Sequence, residues 1–175
     1  EIQGEAKEAG ISGFVSKPLF RSSLFDALKT LAGVPGKKSS NTEGRTLSEL
    51  SGKHILLAED NELNWEVARE LLSVLELELD WVENGEKCVA KFTESPVGYY
   101  DAILMDVRMP VMDGYEATMA IRALERTDAD IPIIAMTADA FSEDIQKCLE
   151  CGMNDHLAKP IDIQVVAHKI TKYIK

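Results

Sequence analysis

No stretch of this 175-residue chain stays apolar for anything near the ~20 residues a membrane span needs, so direct membrane contact is not expected. Basic charge is also short: 19 Lys and Arg face 30 Asp and Glu, a net charge of −11. Phosphate contacts need a basic surface, which argues against a general nucleic-acid binder and favours cations or basic partner surfaces. Cysteines number three, an odd count in a chain without secretory features, so they read as reduced thiols in a cytoplasmic protein. Cys148 and Cys151 form a C-x-x-C, but it lies inside the helical pattern SEDIQKCLECG and has no second ligand pair. A structural role is therefore expected for both. The first strand is not followed by a glycine-rich phosphate loop, which argues against nucleotide binding. The sequence starts in mid-pattern, as an excised fragment would.

What is present is regular from His54 onward. HILLA, LELDWV, YDAILMD, IPIIAMT and DHLAKP read as strands. Between and after them NELNWEVARELLSVLE, GEKCVAKFTE, GYEATMAIRALE, SEDIQKCLECG and residues 162–174 read as helices. In the first helix Leu63, Val67, Leu71 and Leu75 are expected on the buried face, with Ala68 and Leu72 beside them. Gly152 is expected to close the fourth helix. Strands alternating with helices imply a doubly wound parallel sheet with helices on both faces, an α/β sandwich. In such sheets ligands sit outside the carboxyl ends of the strands.

Residues 34–52 are rich in Ser, Gly, Lys and Glu and read as a linker. Before them, residues 1–33 repeat the end of the chain. EAGISGFVSKPLFRSSLFDAL aligns without gaps to ECGMNDHLAKPIDIQVVAHKI, and Gly10, Lys17 and Pro18 match Gly152, Lys159 and Pro160 at one constant offset. The segment is expected to be the C-terminal strand and helix of a preceding domain of the same type as residues 53–175.

The strand ends carry the chemistry. They finish in Glu59-Asp60, Asp106, Thr137 and Lys159-Pro160. Each has a plain explanation alone: a helix-start acidic pair, a turn residue, a helix cap, a solvated end charge. Together they place three carboxylates, a hydroxyl and an ammonium on one rim. Packed carboxylates need a cation, and hard oxygen ligands suit Mg²⁺, with Mn²⁺ as the alternative ion. A carboxylate is a weak nucleophile. It needs an activated donor, fixed approach and neutralised charge to capture a phosphoryl group.

LLAEDN, AILMDVRMPVMDGYEA, IPIIAMTA and HLAKP follow one another in the order and spacing of a response-regulator receiver domain, which residues 53–175 closely resemble. The resemblance implies the flavodoxin-like (CheY-like) five-stranded fold. It implies that Asp106 is the phosphoryl acceptor, that Glu59, Asp60 and Asp106 hold Mg²⁺ with the main-chain carbonyl of Arg108, and that Thr137 and Lys159 bind phosphoryl oxygens. The donor would be phosphohistidine on a histidine kinase or a histidine phosphotransfer domain. Thr137 and the residue three before the lysine would form the switch. That residue is His156 here, where the family usually has Tyr or Phe, so weaker coupling of the fourth helix to phosphorylation is expected. Arg108 and Asp139 flank the site and are expected to tune the acyl-phosphate lifetime. AEDNELN is similar to receivers within hybrid sensor histidine kinases, and such a kinase, anchored in the inner membrane, is the leading parent, ahead of a tandem receiver. A receiver that serves only as an interaction module usually lacks an acidic or lysine position, and all are here. An Asp-nucleophile phosphatase of the haloacid-dehalogenase type would want an Asp at the position of Arg108.

Overall fold

The computed structural model describes residues 50–138 and 142–174. The expected remnant 1–33, nearly all of the linker 34–52 and Asp139 lie outside the described residues. The described part runs β1 (His54–Ala58), α1 (Glu62–Ser73), β2 (Glu78–Val82), α2 (Gly85–Glu94), β3 (Ala102–Asp106), α3 (Gly114–Arg122), β4 (Ile133–Thr137), α4 (Ser142–Glu150), β5 (Asp155–Ala158) and α5 (Ile163–Tyr173). All pairings are parallel, in the order β2-β1-β3-β4-β5. This is the α/β arrangement the alternating pattern implies.

Burial explains why the strands differ in composition. Every residue of β3 (AILMD) and β4 (IIAMT) is buried, since helices cover both faces of these inner strands. The edge strands β2 and β5 are mostly half-exposed and accordingly carry charge. On one face Leu56, Ile103, Met105 and Ile133 pack with Phe92 of α2, Ile121 of α3 and Cys148 of α4. On the other Ile55, Leu57, Leu104 and Ile134 pack with Leu72 of α1 and Ile170 of α5. Burying a side chain the size of Phe92 stabilises the fold by about 1.5–3 kcal/mol. Cys88 is fully buried and its thiol is pushed up to about 12 by that burial, while Cys151 donates to the Cys148 carbonyl within the turn that ends α4. The cysteines are packing residues, as expected.

The expected inner face of α1 is corrected. Leu63 and Val67 are 66% and 52% exposed, and the helix buries Ala68 and Leu72, with Leu75 just beyond it. The reason is geometric. A series spaced by four residues drifts about 40° per step around a helix of 3.6 residues per turn. Leu63-Val67-Leu71-Leu75 therefore slides from solvent toward the core, and the sheet takes the neighbouring stripe.

Local devices fix the loops that carry the site. Asn61 caps α1, its side chain accepting from the N–H groups of Leu63 at 3.0 Å and Asn64 at 3.2 Å. Asp113 and Glu116 form a reciprocal capping box at α3. Gly152 has φ +102° and closes α4. Gly114 is required by a close approach: a Cβ there would lie 2.3 Å from the Asp106 carbonyl oxygen. The start of α3 is thus pressed against the backbone of the proposed acceptor.

Candidate functional site

The strand ends meet at one rim. Asp106, the last residue of β3, is 6% exposed. Glu59 directly follows β1, is 2% exposed, and is held by its N–H donating to the Val82 carbonyl at 3.0 Å. Asp60 is the exposed member of the set. One carboxylate oxygen from each of Glu59, Asp60 and Asp106 lies within 4.8 Å of the others. Lys159 reaches in from the end of β5. Its ammonium donates to Glu59 Oε2 and to Asp106 Oδ2, both at 2.5 Å. Its main-chain N–H donates to the Thr137 carbonyl at 2.8 Å. Thr137 ends β4, one step beyond the Asp106–Met136 register pair, and is 6% exposed.

Three carboxylates and one ammonium leave the rim with a formal charge of about −2, the imbalance a divalent cation neutralises. The protonation equilibria reflect the same strain. Burial raises the Asp106 carboxyl above its ordinary range, and the charge of Glu59 adds to this. The ammonium of Lys159 and the Arg108 N–H oppose it without cancelling it. Burial by itself would lower Lys159, but its bonds to Asp106 and Glu59 outweigh that and keep it firmly protonated. The donor set is all oxygen, clustered and partly open to solvent, so these residues fit Mg²⁺.

Arg108 donates its N–H to Asp106 Oδ1 at 3.1 Å. With Asp60, Met109, Asp113, Tyr115 and Lys147 it lines a cleft of about 610 Å³ beside the acidic cluster. The loop below it turns sharply. Met112 N–H donates to the Pro110 carbonyl at 2.8 Å, around Val111 at φ +70° and 78% exposed. A β-branched residue in that region is strained. His156 lies on edge strand β5 opposite Ala135, with 30% of its side chain exposed. Burial, aided by the Lys169 charge, lowers its pKa despite Asp155.

Sequence reasoning missed the supports of Glu59. Asn64 Nδ2 donates to Glu59 Oε1 at 2.7 Å, and Trp81 Nε1 donates to the Glu59 carbonyl at 2.8 Å. It also missed Asp155, which gathers Lys169, Lys172, Tyr173 and the His156 N–H and ties α5 to β5. In both cases the partners are far from obvious in sequence, because side-chain direction decides them.

Residues 55–171 match the response regulator receiver domain family. Among curated proteins the chain is similar to a hybrid signal transduction histidine kinase of Dictyostelium discoideum, 36% identical across 79% of this chain and 8% of the relative. It is also similar to histidine kinase 2 of Arabidopsis thaliana, 31% identical across 99% of this chain and 16% of the relative. The chain thus spans well under a fifth of these kinases. Among solved structures it resembles the receiver domain of a Pseudomonas aeruginosa sensor histidine kinase, which holds a magnesium ion in its active-site cleft. That match is 41% identical with a TM-score of 0.63 and covers 70% of this chain and 98% of the other. A Saccharomyces cerevisiae response-regulator receiver domain, crystallised with a histidine phosphotransfer protein, matches at 29% identity and a TM-score of 0.64, over 71% of this chain and 90% of the other.

Proposed function

The chain belongs to the response regulator receiver domain family, and from that premise we propose that Asp106 accepts a phosphoryl group from phosphohistidine in a phosphorelay. The observation that carries this is the placement of Asp106 within the acidic cluster and against the Lys159 ammonium. An Asp106 oxygen attacks phosphorus as the P–N bond of the donor breaks and its electron pair returns to the imidazole. The rigid end of β3 supplies positioning, and the Arg108 N–H steadies the carboxylate. Lys159 turns from Asp106 to the phosphoryl oxygens, and the Thr137 hydroxyl supplies a second contact. Glu59, Asp60, Asp106 and the Arg108 carbonyl would hold Mg²⁺, whose charge balances the cluster and the incoming phosphoryl oxygens; Mn²⁺ would serve as a substitute. Thr137 and His156 form the switch, and Arg108 and Asp139 set how fast water cleaves the acyl phosphate.

The partner is a histidine kinase or a histidine phosphotransfer domain, and the parent a cytoplasm-facing hybrid kinase. Support comes from the kinase relatives and from the yeast neighbour's complex. No helix among the described residues is long and apolar enough to cross a membrane. Incubation with a phosphorylated histidine phosphotransfer domain tests the reading. Label should pass to the native chain with Mg²⁺ and not to Asp106→Asn; transfer to both, or to neither, would overturn it.

A further inference from the structure

Glu59 is held from three sides: Asn64 on Oε1, Lys159 on Oε2 and Trp81 on its carbonyl. The Trp81 ring stacks on Trp65 of α1, with centroids 5.7 Å apart and planes within 5°. Only 3% of the Glu59 side chain is exposed, but Asn64 on its Oε1 side is itself exposed, so water can bond Oε1 in place of the amide without fixing the direction of the carboxylate. The Lys159 ammonium is shared between Glu59 and Asp106. A phosphoryl group on Asp106 draws that ammonium away, and Glu59 loses the donor on Oε2 at the moment its orientation matters most.

We propose that Asn64 is a positioning residue, whose amide keeps the Glu59 carboxylate directed at the cation site once Lys159 has moved to the phosphoryl oxygens. The inference rests on the phosphoacceptor reading above. Glutamate has one more rotatable bond than aspartate and therefore more freedom to lose when fixed. Asn64 is itself anchored, since its N–H donates to the Asn61 cap in the first turn of α1. The amide and the cap together connect the cation site to the start of α1.

The test separates positioning from support of the helix. Alanine is a better helix former than asparagine, so Asn64→Ala should leave the metal-free thermal midpoint unchanged or raised. Beryllofluoride at fixed Mg²⁺, followed by Trp65 and Trp81 fluorescence, stands in for the phosphoryl group. Asn64→Ala should weaken its binding by about five- to tenfold, the effect of losing one hydrogen bond to a charged group near solvent. In a Glu59→Asp background the shorter acid does not reach Asn64, and Asn64→Ala should add no further weakening. Equal affinity of native and Asn64→Ala, the same weakening in both backgrounds, or a parallel fall in the metal-free midpoint would overturn the proposal. If the native chain takes up no beryllofluoride, the phosphoacceptor reading falls and this inference with it; the other outcomes leave that reading standing.

Discussion

Replacing Asp106 by Asn should raise the stability of the metal-free protein near pH 7, although it removes the group on which the proposed chemistry turns. The substitution gives up one attraction, to Lys159 at 2.5 Å, and relieves two repulsions, with Glu59 and Asp60 in the same cluster. It also removes the desolvation of a carboxylate that is only 6% exposed, while an amide oxygen can still accept from the Arg108 N–H. The Lys159 attraction exceeds the Glu59 repulsion, but desolvation is the largest influence on this carboxylate and the balance stays unfavourable to its charge. Its removal is a gain of about 1–2 kcal/mol and ~4–8 °C in thermal midpoint. The pH dependence fixes the sign. The folded-state pKa of Asp106 lies above the ordinary 3.8, so its contribution to stability is fullest below 3.8 and is lost as pH rises through the raised folded value. The advantage of Asp106→Asn should therefore open as pH rises above 3.8 and through the raised folded value. Mg²⁺ should close it, because the native site gains about 2.7 kcal/mol at a hundredfold excess over Kd and the variant gains less. Urea unfolding with EDTA or Mg²⁺ across that range is the assay. A variant no more stable than native at pH 7 in EDTA, or a gap independent of pH, would refute the reasoning.

Val111→Asn should stabilise the protein by about 1 kcal/mol in urea unfolding, since asparagine tolerates φ +70° better than a β-branched residue and the site is exposed; no gain would mean the loop is unstrained. Asp155→Asn should cost about 1–3 kcal/mol at pH 7. Burial alone would raise Asp155, but Lys169, the His156 N–H and Tyr173 bring it down to about 2, so its contribution is present above 3.8 and lost as pH falls toward about 2. The variant should lack that acid-side slope, and an unchanged slope would assign it to other groups. His156→Tyr should enlarge the beryllofluoride-induced NMR shifts along α4, and equal shifts would reject the weak-coupling expectation.

Much of the fold was legible because the local and global signals agree. Apolar runs such as Ile133-Ile134-Ala135 exclude a half-exposed strand, and alternation with amphipathic helices leaves few topologies besides a parallel sheet. The acidic pair, Asp106, Thr137 and Lys159 were legible as well, since strand ends in such a sheet share one rim. Angular detail was less so. Leu63 and Val67 fit the helical period, yet face solvent because the period does not specify which stripe meets the sheet. Asn61 and Asn64 are alike in sequence, and only the geometry separates the cap from the residue that bonds Glu59. Val111 gives no turn signal, because its positive φ is imposed by the Pro110–Met112 hydrogen bond. The structure requires Gly114 for lack of a Cβ near the Asp106 carbonyl, a close approach between elements that no local sequence pattern specifies.

Intact-mass analysis after incubation with acetyl phosphate decides whether Asp106 captures phosphorus. The native chain should gain one phosphoryl group in the presence of Mg²⁺, lose it to hydroxylamine as an acyl phosphate does, and gain none in EDTA; Asp106→Asn should gain none under any condition. A native chain that stays unmodified, or an Asp106→Asn variant that is modified equally, would contradict the assignment.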